Sequence, residues 1–165
     1  MITAIGLELS TDVDMAAIAV AGREEGGRWT ADLAFYGSPD DAAAECSRLY
    51  GELDNCGVYL DPQPCAGIVD DLRAAGCWLH LLEATDVAAA SWIYTTEVRG
   101  RRVKLGAHPA LREAMRSAVP RPLALRFAFE RKRVVSDMSP LNACAFALWG
   151  VRKNDAQSEP GVWHV

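Results

Sequence analysis

The sequence has no long hydrophobic run and no secretory leader. No apolar stretch approaches the roughly 20 residues that span a bilayer, and MITAIGLELS lacks a basic segment followed by an apolar one. The five cysteines are widely spaced without a CxxC pair, so the pattern indicates neither a zinc site nor a disulfide framework. These absences predict one globular domain with reduced thiols and no membrane partner.

The sequence is also poor in positive charge. It has 17 Lys and Arg residues against 22 Asp and Glu residues, a formal net charge of -5. Domains that bind nucleic acid unaided usually carry a basic excess, because phosphate neutralisation supplies most of their affinity. The chain therefore binds something else, is held on nucleic acid by a partner, or concentrates its acidic residues in one functional site.

Apolar periodicity and capping residues divide the chain into strands and helices. Alternating or continuous apolar runs predict strands at residues 2–9, 15–22, 28–36, 57–60, 78–82 and 123–129, the last returning as a hairpin through 131–135. Amphipathic stripes predict helices at residues 39–53, 65–75, 86–98, 108–118 and 139–151, with a basic connector at 99–104. Residues 1–151 are expected to form the domain, and residues 152–165 a flexible tail.

The order of these elements predicts the fold class. Three strands in a meander, followed by alternating helices and strands, indicate an α/β fold. The expected architecture is a mixed five-stranded sheet, with the later strands parallel, flanked by helices. Several α/β folds share this order, so topology alone does not identify a function.

Three acidic residues lie where strands or loops end. Glu8 is near the end of the first strand, Asp61 follows the fourth strand in VYLDP, and Asp137 precedes the last helix in SDMSPLNA. If the first and fourth strands are neighbours, their acids emerge together and Asp137 completes the cluster. Carboxylate oxygens suit Mg²⁺ or Mn²⁺, and two such ions support phosphodiester hydrolysis.

Each acid also has a purely structural interpretation. Asp61 before Pro62 is equally typical of a turn, Asp137 of a helix cap, and Glu8 of an exposed strand end. The nearby Asp12 and Asp14 are more typical of turn residues than of metal ligands. The residue pattern alone leaves both interpretations open.

The segments IGLELSTDVDMAAIAVAG, GVYLDPQPCAGIVDDLRAAG and SDMSPLNACAFALWG together resemble the nuclease domain of actinobacterial phage and prophage terminase large subunits. The resemblance implies a ribonuclease H-like fold and an acidic triad, Glu8, Asp61 and Asp137, that binds two Mg²⁺ or Mn²⁺ ions. Glu8 stands where the family normally has aspartate. The implied activity is cutting of concatemeric viral DNA during genome packaging.

The resemblance also implies partners. These are double-stranded DNA, a terminase ATPase domain or small subunit, and the portal, all in the cytoplasm of the host bacterium. The basic run Arg131, Lys132 and Arg133 is expected to contact DNA phosphates near the cleavage site, although such runs are often only solvated loops. Two alternatives remain: a non-catalytic module that docks on a packaging motor or DNA, and another nuclease of the same fold, such as a junction resolvase or an RNA-hybrid nuclease.

Overall fold

A computed structural model describes residues 3–54, 56–132 and 134–158, with side chains through Asp155. Within these residues the strands are β1 Thr3–Leu9, β2 Ala16–Arg23, β3 Trp29–Gly37, β4 Val58–Leu60, β5 Leu79–Leu81, β6 Val103–Leu105, β7 Pro120–Leu123 and β8 Arg126–Phe129. The helices are α1 Pro39–Glu52, α2 Pro62–Ala74, α3 Ala84–Arg99, α4 Pro109–Ser117 and α5 Ser139–Ser158. No helix among these residues is both long and apolar enough to cross a bilayer.

The main sheet is mixed, with the strand order β5-β4-β1-β2-β3-β6. Strands β1, β2 and β3 form an antiparallel meander, whereas β4 runs parallel to β1 and β5 runs parallel to β4. The predicted meander followed by parallel strands is therefore confirmed. Helices α1 and α2 cover one face of the sheet, and α5 crosses β1, β2 and β3 on the other.

The expected count of five strands is wrong, because β6 adds a sixth strand at the edge beside β3. This strand lies largely within the segment that was predicted to be a basic connector. Its three residues pair in parallel with β3, with Val103 opposite Trp29, and Val103 is buried. Pairing and burial decide the conformation here, because a segment of only three residues with Lys104 at its centre carries too little periodicity to indicate a strand.

The predicted strand at 123–129 is in fact a hairpin. Strands β7 and β8 pair antiparallel, and the chain turns at Ala124 and Leu125. Ala124 has φ 51°, a left-handed conformation that turns usually assign to glycine or asparagine, and Leu125 is fully exposed at the tip. The returning strand was predicted at 131–135, but residues 131–132 and 134–135 belong to no strand; Arg133 lies outside the described residues.

Helix α5 continues to Ser158, seven residues past its predicted end at Val151. Three contacts hold this extension against the domain: Arg152 pairs with Glu97 of α3, Arg23 of β2 pairs with Asp155, and Tyr59 of β4 donates a hydrogen bond to Asn154 at 3.0 Å. Residues 152–155 therefore belong to the folded domain rather than to the predicted tail. The rest of that tail beyond Ser158 lies outside the described residues.

Close contact between α5 and the centre of the sheet depends on Gly6 in β1. A Cβ on Gly6 would overlap the carbonyl oxygen of Ala143 in α5, so only glycine permits this approach. The result is that the first turns of α5 lie over the end of β1. Glu8 on the strand and Asn142 on the helix are brought together in this way.

Candidate active site

Two of the predicted acids lie at the same edge of the sheet. Glu8 is the penultimate residue of β1, and Asp61 directly follows β4. Leu7 and Leu60 are paired residues of these parallel neighbouring strands. The expected adjacency of the two strands is confirmed, because side chains at the carboxyl ends of paired parallel strands emerge side by side.

Arg131 joins these two carboxylates. Its Nε lies 2.7 Å from Glu8 Oε1, and its Nη2 donates a hydrogen bond to Asp61 Oδ2 at 3.0 Å. The arginine side chain is 19 % exposed and the Glu8 side chain only 1 % exposed. A single guanidinium therefore bridges two carboxyl groups that are shielded from solvent.

The Glu8 carboxyl is held in an environment that disfavours its charge. Burial raises the pKa of Glu8 to about 8, against the attraction of Arg131, and the charge of Asp61 adds to the rise. Asn142 lies beside Glu8 and lowers its pKa slightly. Glu8 Oε2 and Asn142 Nδ2 are both buried without a well-aligned hydrogen bond. Glu8 and Asn142 thus leave two buried polar atoms without hydrogen bonds. This costs stability unless a further ligand binds them.

Asp61 has a second role at the start of α2. Its Oδ1 accepts a hydrogen bond from the backbone N–H of Gln63 at 3.0 Å, which caps the helix, and Pro62 occupies the first helical position. The other carboxylate oxygen remains for Arg131. The capping interpretation and the ligand interpretation of Asp61 are therefore compatible, because they use different oxygens.

Asp137 is held by neutral donors. Its carboxylate accepts hydrogen bonds from the backbone N–H of Ser139 at 2.8 Å and the Ser139 hydroxyl at 2.7 Å. The Tyr36 hydroxyl donates a third at 3.0 Å. Burial and the charge of Asp137 raise the pKa of Tyr36 to about 12, so this hydroxyl stays a donor at neutral pH. Asp137 is thus fixed at the entrance to α5.

Asp137 and Arg131 both line an open cavity of about 320 Å³ beside the acid pair. In the loop after β1, Ser10 donates a hydrogen bond to Asp14 at 2.6 Å, so Asp14 is a turn residue, as the sequence favoured. The other residues that line the cavity come from the loop after β1, from the end of β3 and from the segment between β8 and α5: Ser10, Thr11, Asp12, Asp14, Met15, Tyr36, Lys132, Val134, Val135 and Ser136. The cavity is predominantly polar and acidic at its wall.

The acid pair fits a divalent cation. Glu8 and Asp61 already surround one positive group, and Glu8 Oε2 offers a buried oxygen without a partner. Hard oxygen ligands of this kind are those that Mg²⁺ and Mn²⁺ prefer. Over the described residues, however, no three His, Cys, Asp or Glu side chains are grouped closely enough to hold an ion together. The pair suits one ion, and Asp137 stands apart from it in this conformation.

Comparison with known proteins rests on the fold. No family model and no curated protein matches the chain. The HK97 bacteriophage large terminase has a TM-score of 0.72 at 17% sequence identity, covering 89% of this chain and 39% of that one. The large terminase nuclease from the thermophilic phage G20c has a TM-score of 0.68 at 15% identity, covering 88% and 80%. The fold is ribonuclease H-like, as the sequence predicted.

A third solved structure shares the fold less closely. The yeast mitochondrial Holliday junction resolvase Ydc2 has a TM-score of 0.53 at 10% identity, covering 93% of this chain and 80% of its own. The chain spans about two fifths of the length of the HK97 terminase that it matches. At such low identities these structures share only the ribonuclease H-like fold with this chain, and their activities are not carried over to it.

The DNA-phosphate contact expected of the basic run at 131–133 stays a prediction. Arg131 was predicted to contact phosphate, but its guanidinium is engaged by Glu8 and Asp61. Lys132 is exposed at the cavity, and Arg133 lies outside the described residues.

Sequence reasoning missed two residues beside the acids: Tyr36, which donates a hydrogen bond to Asp137, and Asn142, which lies next to Glu8. A weak signal existed for each of them. Tyr36 ends the alternating third strand, and Asn142 is a polar residue within the apolar face of the last helix.

Proposed function

We propose that this domain is a divalent-metal-dependent DNA endonuclease that hydrolyses phosphodiester bonds. One observation carries the proposal: two carboxylates, Glu8 and Asp61, surround a buried cation at the carboxyl ends of neighbouring parallel strands. The ribonuclease H-like fold, shared with two phage terminase structures, supports it. The proposed role is cutting of concatemeric viral DNA during packaging in the host cytoplasm.

The proposed ligands are Glu8 and Asp61, with Asp137 as the third acid. Two Mg²⁺ or Mn²⁺ ions supply, when bound, an activated water and stabilisation of the leaving oxygen. Asn142 lies beside the Glu8 carboxylate, and Tyr36 with Ser139 orients Asp137. Because Asp137 already accepts three hydrogen bonds, its direction is set before substrate arrives.

DNA recognition is proposed to depend on phosphate contacts and on a partner. Lys132 is the exposed cation at the cavity, and Arg131 and Arg133 are its sequence neighbours. The net charge of -5 opposes tight binding to duplex DNA by this chain alone. We therefore expect delivery to DNA by a terminase ATPase domain or small subunit at the portal.

A second candidate is a non-catalytic module of the same fold that docks on a packaging motor or on DNA. The observation that favours it is the ion pair itself, because Arg131 fills the place between Glu8 and Asp61. The separation of Asp137 from that pair points the same way, since the part of the chain described here shows no group of three ligating acids. The two candidates differ in whether the protein cuts DNA.

Cleavage of supercoiled plasmid separates these candidates. With Mn²⁺ or Mg²⁺ the protein is expected to nick and then linearise the plasmid, and chelation by EDTA should stop it. Asp61→Asn and Asp137→Asn should each abolish cleavage, because each removes a charge that the ions need. Asp70→Asn is the matched control, since Asp70 is fully solvent-exposed on α2 and far from the acids' contacts.

The outcomes are distinct. If Asp61→Asn and Asp137→Asn cut as well as the parent, the site assignment is wrong. If no variant cuts any DNA and all bind the plasmid equally, the non-catalytic module is the better description. A four-way junction offered beside linear duplex shows whether the substrate is packaging DNA or a branched structure.

A further inference from the structure

Arg131 makes contacts that an ordinary surface arginine does not. Its guanidinium reaches two carboxylates from different strands, at 2.7 Å to Glu8 and 3.0 Å to Asp61. A planar guanidinium presents several donors in a fixed fork, so one arginine reaches two acids at once, with a hydrogen bond to Asp61 and an ion pair with Glu8. A lysine ammonium at this position would meet them only as a point charge.

The acid pair needs a positive partner. Glu8 and Asp61 lie close enough for the charge of Asp61 to raise the pKa of Glu8, and both side chains are buried. Removing the counterion of a buried charged pair is strongly unfavourable, because the remaining charges are left without compensation. Arg131 therefore stabilises the site whenever no other cation is there.

One place between the carboxylates serves both cations. The oxygens that Arg131 contacts, Glu8 Oε1 and Asp61 Oδ2, are ligands in the proposed metal site. The guanidinium and a divalent ion exclude each other there, through both their volume and their like charge. Metal loading must therefore displace the arginine side chain.

The backbone of Arg131 is fixed while its side chain projects inward. The Glu130 carboxylate accepts hydrogen bonds from the N–H groups of Arg131 and Lys132, each at 3.0 Å. The Thr11 hydroxyl donates to the Arg131 carbonyl oxygen at 3.4 Å. Arg131 also lines the cavity beside the acids. Arg131 thus lies between the acid pair and the cavity, and a rotation of its side chain would move the guanidinium from one to the other without moving its backbone.

We infer that Arg131 is an internal cation that occupies the metal site before loading and moves into the cavity when a divalent ion binds. There it becomes available to a DNA phosphate. Arg131 is thus a positioning residue that couples ion binding to substrate contact. This inference rests on the proposed function of Glu8 and Asp61 as ligands.

Calorimetric titration with Mn²⁺ in the absence of DNA, at pH 8, tests the inference. Arg131→Gln is expected to tighten Mn²⁺ binding by at least about tenfold, because it removes a competing charge. Arg131→Lys should tighten it less, since the charge is kept. Arg126→Gln is the matched control: Arg126 is an exposed arginine at the start of β8 that packs over Trp92. Unchanged or weaker binding by Arg131→Gln overturns the inference.

Thermal unfolding shows whether a variant binds Mn²⁺ differently or has simply lost its fold. In EDTA, Arg131→Gln should melt below the parent, and Mn²⁺ should raise its melting temperature more than it raises that of the parent. If Mn²⁺ stabilises Arg131→Gln no more than the parent, the inference is overturned. Arg131→Lys provides a folded variant for the same comparison.

Cleavage assays on the same variants separate this inference from the proposed function. Tighter Mn²⁺ binding by Arg131→Gln with no cleavage by any variant rejects the nuclease and supports Arg131 as the internal cation. Cleavage by the parent with equal Mn²⁺ affinity in Arg131→Gln supports the nuclease and rejects the inference. Neither measurement depends on the other.

Discussion

The two parts of the candidate site are stabilised in different ways. Glu8 and Asp61 share one buried guanidinium, whereas Asp137 accepts hydrogen bonds from Ser139 and Tyr36, which carry no charge. The acid pair is therefore bridged by a group that an ion must replace. Asp137 is oriented by groups that can remain in place when an ion arrives.

This difference assigns separate tasks to the two parts. The acid pair determines whether an ion binds, because its affinity for any cation must exceed its affinity for Arg131. Asp137 determines whether the catalytic centre around a bound ion is complete, because hydrogen bonds already orient its carboxylate and no cation competes for it. Changes to the pair should consequently have large effects on metal binding and stability, and changes around Asp137 smaller ones.

The largest effect is expected from Glu8. Glu8→Gln should reduce Mn²⁺-dependent plasmid cleavage on the order of a thousandfold, since a buried ligand charge is lost. Glu8→Asp should reduce it about a hundredfold, because the shorter side chain withdraws the carboxylate by roughly 1 Å. Initial nicking rates at several Mn²⁺ concentrations measure both.

Glu52→Gln, an exposed change on α1, is the control for these rates. Three indistinguishable curves for the parent, Glu8→Gln and Glu8→Asp would remove Glu8 from the site. A rate increase in Glu8→Asp would instead show that the site has not adjusted to glutamate, and that aspartate fits it better.

Stability without metal should depend on pH through the same residue. The folded-state pKa of Glu8 is raised to about 8, whereas its ordinary pKa is 4.5. Between these two pH values the Glu8 carboxyl keeps its proton in the folded protein and loses it in the unfolded chain. The resulting contribution to stability is present at low pH and is lost as the pH rises through about 8. Between pH 5 and pH 8 the free energy of unfolding should fall by about 3 kcal/mol more in the parent than in Glu8→Gln.

Urea unfolding in EDTA at several pH values gives this difference. Parallel pH profiles for the parent and Glu8→Gln would mean that Glu8 is ionised throughout the range. In that case the ion pair with Arg131 outweighs the cost of burial, and metal binding would not require loss of a proton from Glu8.

A smaller effect is expected at Asp137. Tyr36→Phe removes one of the hydrogen bonds to Asp137, while both donors of Ser139 remain. The loss should cost about 1 kcal/mol of stability and slow cleavage about fivefold, with Mn²⁺ affinity nearly unchanged. Tyr50→Phe on α1 is the control. A large loss of Mn²⁺ affinity in Tyr36→Phe would contradict the division between the two parts of the site.

The smallest effect concerns DNA binding. Lys132→Ala should weaken binding to duplex DNA about two- to threefold for every sequence tested, and reduce the salt slope by about one. Fluorescence anisotropy at increasing salt measures both, with Arg73→Ala on α2 as the control. A tight complex that salt does not weaken would contradict a domain that a partner delivers to DNA.

The sequence predicted that Glu8 and Asp61 lie together because strand ends are local features. Apolar runs that stop at Glu8 and Asp61, together with a meander followed by parallel strands, put both acids at one edge. Ser38 and Pro39 mark the start of α1 equally plainly. These signals lie within a few residues of the features that they predict.

The remaining features depend on distant contacts. Arg131 reaches Glu8 across more than one hundred residues of chain, and no local pattern records where a long side chain ends. Strand β6 forms because β3 offers an edge, and the β7–β8 turn uses Ala124 rather than glycine. In each case tertiary contacts, rather than local propensity, select the conformation.

Diffraction from crystals grown with Mn²⁺, using the anomalous signal of manganese, tests the central claim most directly. The account predicts manganese between Glu8 and Asp61, the Arg131 side chain displaced into the cavity, and Asp137 still bound to Ser139 and Tyr36. Saturating Mn²⁺ with no anomalous peak at Glu8 and Asp61, and with Arg131 still bridging them, would contradict it.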